Sequence, residues 1–136
     1  MKLPLIIVLL FSSLVSFGQQ PEYPDSGFTN KTEAKNKTRH GLKQGKWCEY
    51  EVGMGLGFDF RIIHDTEYYS LTIYKDDKPR GIVRMYYPSG VYMGMRHYTY
   101  DNRTFIEKDY YEDGRLQKEG PYIDGVENGI IKEYYE

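Results

Sequence analysis

The sequence predicts an all-β fold, an antiparallel meander of β-hairpin repeats in a single-layer sheet. Three observations predict it. Residues recur at a fixed interval of 24 through the second half of the chain. Each copy holds an alternating run of β-branched and aromatic residues. Each run is bounded by Gly, Asn and Asp, the residues a reversing chain needs. A constant period of this length is the signature of one small unit stacked on copies of itself.

The register holds without gaps over three copies. Tyr74, Tyr98 and Tyr122 align, as do Ile82, Ile106 and Ile130. Arg84, Lys108 and Lys132 follow, then Tyr86, Tyr110 and Tyr134, then Tyr87, Tyr111 and Tyr135. One such column could arise by chance among 15 tyrosines, but five columns in one register could not. The run Ile-x-Arg/Lys-x-Tyr has period 2, which suits a strand. Between Tyr74 and Ile82, and between Tyr122 and Ile130, lie Asp, Asn and Gly, as one end of a hairpin needs. Gly90 and Gly114 close the other end, compatible with a type I turn and a bulge.

Residues i and i+2 share a face of a strand. Each copy therefore sets an Ile, a basic residue and a Tyr on one side. Equivalent positions two strands apart recur about every 10 Å. The expectation is a ladder of Tyr86, Tyr110 and Tyr134 with a basic stripe of Arg84, Lys108 and Lys132 beside it. Glu107, Asp109 and Glu133 are the neighbouring acids expected to offset the stripe. Several hairpins in register share a face that one hairpin alone could not stabilise.

Tyr-Tyr-x-x-Gly followed by Gly-x-Tyr-x-x-Gly-x-x-x-Gly-x-x-x-x-Tyr-Tyr resembles the MORN-type repeat. It is closer to the bacterial variant found in small proteins often labelled antitoxin-like. Gly120, Tyr122, Gly125, Gly129, Tyr134 and Tyr135 carry the full pattern. The middle copy departs from it, with Arg96, Asp101 and Phe105 where Gly120, Gly125 and Gly129 would stand. The resemblance covers residues 41–136 and is best in the last third. It implies a curved sheet of hairpins, no catalytic residues, and a role in scaffolding and in protein or lipid contact.

The domain organisation follows from composition. Lys2, the apolar run Leu3–Val15 and the small residues before Gln19 predict a secretory signal peptide over 1–18. The expected location is therefore periplasmic or secreted, with cleavage after Gly18. The apolar run is shorter than the roughly 20 residues of a membrane span. Residues 19–40 are polar and predict a flexible leader. The repeat domain spans 41–136, with its first half-repeat at Gly41–Tyr50. The spacing from Tyr50 to Tyr86 exceeds one period by 12 residues, and Phe58-x-Phe60-x-Ile62 predicts a longer or additional hairpin there. Such an irregular insertion is where a specific binding feature could be added. Three Asn-x-Thr sequons, at Asn30, Asn36 and Asn102, are coincidental if the source is bacterial, as the resemblance suggests.

No catalytic signature stands out. Gly53-x-Gly55-x-Gly57 lacks the strand, helix and Lys-Ser/Thr of a phosphate loop. Cys48 is the sole cysteine, and His40, His64 and His97 fall in no nucleophile or zinc pattern. Acidic pairs such as Asp76-Asp77 sit in predicted turns, where they need no metal. No cofactor is implied. The formal charge of −2 makes nucleic acid a poor partner.

The strongest constellation is the aromatic one: Tyr86, Tyr110, Tyr134, Tyr98, Tyr122 and Trp47, with Arg84, Lys108 and Lys132. Tyrosine suits both the packing of a thin sheet and a binding surface. The expected function is non-catalytic protein–protein interaction, on the aromatic face or by strand addition at the open edge. Self-association through that edge is a further route. The alternatives are glycan or lipid-headgroup binding at the envelope, the lipid contact being weak for an acidic chain, and an antitoxin- or immunity-like role.

Overall fold

The computed structural model describes residues 21–54 and 65–135. The predicted signal peptide, His64 and the segment Gly55–Ile62 lie outside the described residues. The chain forms β1 (Lys37–Arg39), β2 (Leu42–Met54), β3 (Asp65–Lys75), β4 (Lys78–Tyr86), β5 (Tyr92–Tyr98), β6 (Thr104–Tyr110), β7 (Leu116–Ile123), β8 (Val126–Glu127) and β9 (Lys132–Glu133). Strands β1 to β8 pair in sequence order, each antiparallel to the next. Strand β9 returns to pair with β7. The all-β meander holds, and the sheet is open and uncurled where the resemblance implies a curved one.

The turns obey the local chemistry. Tyr87 N–H donates to the Val91 carbonyl and Gly90 N–H to the Tyr87 carbonyl, at 2.9 and 2.8 Å. Tyr111, Arg115 and Gly114 repeat the pattern at the same two distances. Gly90 and Gly114 take φ of +87° and +86°, open to glycine at no steric cost. Each turn carries a register shift beside it, at Met85/Tyr86 and at Asp109/Tyr110. This is the bulged hairpin that the sequence predicts. Strands β2 and β3 pair over 11 positions, from Gln44↔Lys75 to Met54↔Asp65, as a long antiparallel pair that runs to the limit of the described residues.

The stretch expected to be a loose leader lies against the sheet instead, from Pro21 to Asn36. Phe28 is the reason. Its ring is 1% exposed, packed on Tyr69 and Leu71 with Ala34, Cys48, Ile73 and Tyr86 around it. A short 3₁₀ turn at Lys31–Glu33 is capped by the Asn30 carboxamide, which accepts from Thr32 N–H at 3.0 Å. The Asn36 carboxamide then clasps Cys48, donating to its carbonyl at 3.1 Å and accepting from its N–H at 2.9 Å. The Asn36 and Asn102 sequons are thus structural, since the Asn102 amide nitrogen also donates, to the Pro79 carbonyl. We call residues 21–36 the strap, and the face beneath it the strap face.

A thin sheet must bury its apolar surface with its own side chains. Rows of rings do this on both faces. On the strap face Tyr50, Tyr69, Tyr86, Tyr92 and Tyr110 follow one another at centroid distances of 5.7, 5.2, 5.4 and 5.3 Å. On the far face Tyr98, Phe105 and Tyr122 follow at 5.0 and 5.2 Å. Each such pair contributes about 0.5–1.5 kcal/mol beyond the area it buries. Long cationic side chains complete the cover. The Arg96 guanidinium lies 5.7 Å from the Phe105 ring centre, and the Lys118 ammonium 5.9 Å from that of Tyr122.

Candidate functional site

The period-2 pattern sorts the predicted site residues onto two faces. Cross-strand partners share a face, and Leu71↔Arg84↔Met95↔Lys108↔Glu119↔Lys132 is one unbroken row across the sheet. Tyr86 and Tyr110 lie two residues further along their strands, on this strap face, and Tyr134 follows the end of β9 by one residue. Tyr98 and Tyr122 lie on the far face through Tyr98↔Phe105↔Tyr122. Trp47 is on the far face too, opposite Thr72. The nine candidates therefore form two groups rather than one surface.

The ladder is not the simple triple expected. Tyr92 stands between Tyr86 and Tyr110, and the row extends back through Tyr69 to Tyr50. Tyr134 is joined through polar contacts instead, its hydroxyl donating to Glu119 at 3.1 Å. Burial raises the Tyr92 phenol to about 12, and the neighbouring Tyr110 adds to it. Burial also raises the Tyr86 phenol, and Tyr69 beside it is buried in the row.

The basic stripe finds its acids in unexpected quarters, two carboxylates for three cations. Arg84 reaches the strap, at 2.6 Å from the Asp25 carboxylate. Lys108 and Lys132 both reach Glu119, each at 3.3 Å. Glu107, Asp109 and Glu133, the acids expected to balance the stripe, pair across the sheet with far-face positions. The reason is parity: each is an odd number of residues from the basic position on its own strand, so the pleat sends it to the other side.

The far face holds an ionic band. Arg96 binds Glu107 at 2.5 Å, and Lys118 binds Glu127 at 2.7 Å. Burial opposes the Lys118 charge, but hydrogen bonds with Glu127 and Tyr122 outweigh it and hold its pKa high. Asp109 sits among them with no hydrogen bond to its carboxylate among the described residues. Burial pushes its carboxyl up to about 6, Glu107 adds to this, and Arg96 and Lys118 oppose it. Beside the band is a hollow of roughly 280 Å³ lined by Arg96, Tyr98, Arg103, Phe105 and Tyr122. Its cations are occupied, since Arg103 holds Asp124 at 2.5 Å.

Trp47 anchors the other end of the far face. Its indole N–H lies 3.1 Å from the carbonyls of both Lys37 and Gln44. Its ring meets Tyr74 edge-on at 6.2 Å. The Lys43 ammonium sits 5.1 and 4.8 Å from the two ring centres and pairs with Glu49.

Among the described residues, Cys48 and the histidines are not gathered. Cys48 lies on the strap face below Phe28, where burial raises its thiol pKa. His97 is three strands away on β5, about 14 Å at ordinary strand spacing. His40 is in the turn between β1 and β2. Among the described residues no three His, Cys, Asp or Glu side chains are grouped to hold a metal.

The last edge of the described sheet is the most exposed apolar region. Strands β8 and β9 each cover only two residues of β7. Ile130 is 80% exposed and Tyr135 84% exposed, with Val126 beside them in the same segment. No protein-family model matches the chain, and no curated protein or solved structure matches it.

Proposed function

We propose that this chain is a non-catalytic, MORN-like hairpin-repeat module that binds another protein. The single observation that carries this reading is the last edge, where Val126, Ile130, Tyr134 and Tyr135 are exposed on and beside two very short strands. Exposed backbone groups and large apolar side chains together are what strand addition uses. The signal-like residues 1–18 support action outside the cytoplasm, in the periplasm or beyond the cell. Lipid headgroups are less well served, because Arg84, Lys108 and Lys132 already hold carboxylates. Nothing in the geometry favours the glycan-binding or antitoxin-like alternatives.

The test is affinity capture from the native envelope fraction with the full chain and with an Ile130→Asp, Tyr135→Ala variant. The captured protein is then purified and titrated against both. Loss of two central apolar contacts weakens such a complex tenfold or more, about 1.4 kcal/mol. Equal binding by the variant would refute the edge as the binding surface.

A further inference from the structure

The strap is held to the sheet by side-chain anchors at intervals of three residues: Glu22, Asp25 and Phe28. Each meets a different strand. Glu22 lies 3.1 Å from Nδ1 of His97 on β5. Asp25 meets Arg84 on β4 at 2.6 Å. Phe28 fills the recess over Tyr69 and Leu71 on β3. The other His97 nitrogen lies 2.6 Å from the Tyr23 carbonyl, and the Arg80 guanidinium lies 4.7 Å from the Tyr23 ring centre. Three cationic or proton-donating side chains on the sheet thus face an acidic, aromatic segment.

Main-chain bonds hold the strap at its two ends and, among the described residues, not between them. At one end the bridge Glu22↔Thr99 is flanked by the Tyr23 and Tyr100 N–H groups, and at the other the Lys35 and Asn36 N–H groups donate to the Lys46 carbonyl on β2. Pro24, Ser26 and Gly27 are exposed between the anchors. The recess is shaped to admit a chain: Gly81, with φ of +77°, leaves room where a Cβ would come within 2.9 Å of the Pro24 carbonyl oxygen. The strap does not use every donor under it. Nη1 of Arg84 and Nε of Arg80 are buried with no hydrogen-bond partner among the described residues. Buried guanidinium donors without an acceptor point to a ligand with more oxygen to offer.

We propose that the strap is the built-in occupant of a peptide-binding groove on the strap face, and that the groove's external ligand is an extended peptide bearing two acidic residues and an aromatic residue at three-residue intervals. This rests on the reading of the chain as a binding module, but it uses a surface away from the last edge. The tethered strap competes at the high effective concentration of an intramolecular ligand. An external peptide therefore binds weakly until the strap is released, and the fraction of open groove scales its apparent affinity.

The test uses the full chain and its Asp25→Lys, Phe28→Ala variant, which removes the aromatic anchor and sets a cation against Arg84. Hydrogen exchange at Tyr23 and Tyr100 reports strap release. The probe is a fluorescein-labelled peptide of residues 21–35, read by anisotropy, with the Asp25→Lys peptide as control. The expected result is strap release in the variant and at least tenfold tighter peptide binding than to the unaltered chain, with no binding of the control. An unreleased strap, no peptide binding, or equal binding of both peptides would overturn the proposal. So would loss of the sheet's circular dichroism in the variant, since the strap would then be part of the fold and not a displaceable occupant. A strap-exchanged dimer of the unaltered chain would also overturn it, making the occupant a second copy. Edge-directed capture is unaffected by the strap variant, so failure here and failure of the edge reading are separable.

Discussion

Asp109→Asn should stabilise the protein near neutral pH and destabilise it slightly, by about 1 kcal/mol, in acid. The Asp109 carboxyl is raised from 3.8 to about 6, chiefly by burial and then by Glu107. The folded protein therefore holds this proton more tightly than the unfolded chain does. Both states are protonated below about pH 4, so the penalty is absent there. It grows as pH rises towards the folded value and is constant above it. About two pKa units at 1.36 kcal/mol each place it near 3 kcal/mol at most. The asparagine amide inherits the half-buried site, and poor satisfaction of its polar atoms costs about 1 kcal/mol or more. The net gain is then about 1–2 kcal/mol at about pH 7. Urea denaturation followed by Trp47 fluorescence across this range measures it. A difference between variant and parent that does not change with pH, or a variant less stable at neutral pH, would refute the reasoning.

The remaining predictions concern packing and turns. Phe28→Ala should cost about 3 kcal/mol by emptying the recess over Tyr69 and Leu71, whereas Tyr135→Ala should change stability by less than about 0.5 kcal/mol; denaturant midpoints compare them. Gly120→Ala should dislodge β9, because its Cβ would fall 2.3 Å from Cδ1 and 3.1 Å from Cα of Ile131. Loss of hydrogen-exchange protection at Tyr134, whose N–H donates to the Gln117 carbonyl at 2.8 Å, reports it, with about 1–3 kcal/mol of destabilisation. Asp101 accepts from the Thr99 and Thr104 hydroxyls and from the Arg103 and Thr104 N–H groups, and these bonds hold its carboxyl well below the usual range. Its contribution is present above the unfolded pKa and lost as pH falls, so Asp101→Ala should cost about 1 kcal/mol at neutral pH and reduce the acid sensitivity of the β5–β6 hairpin in hydrogen exchange.

The sheet was readable because its signals are local and repeated. A strand alternates, a bulged turn needs glycine at positive φ, and the 24-residue interval multiplies both signals. The basic stripe, Tyr86 and Tyr110 were placed on one face by parity alone. Parity could also have sent Glu107 and Asp109 to the other face, and counting residues along β6 is enough to see it. The strap was not legible from periodicity, because its contacts cross strands and are far apart in sequence. Asp25 and Arg84 are 59 residues apart. Its local signals are Tyr23 and Phe28, two large aromatic side chains buried from a polar stretch. Tyr69 and Tyr92 escaped for a related reason: they belong to strands outside the best-conforming part of the repeat, and only pairing register brings their rings between the others.

The central claim is that one repeated hairpin sorts its aromatic side chains into two separate rows. Nuclear Overhauser contacts between ring protons of the full chain in solution test it most directly. The account predicts contacts along Tyr69, Tyr86, Tyr92 and Tyr110, and separately along Tyr98, Phe105 and Tyr122. Direct contacts between Tyr110 and Tyr122, which belong to opposite faces here, would contradict it.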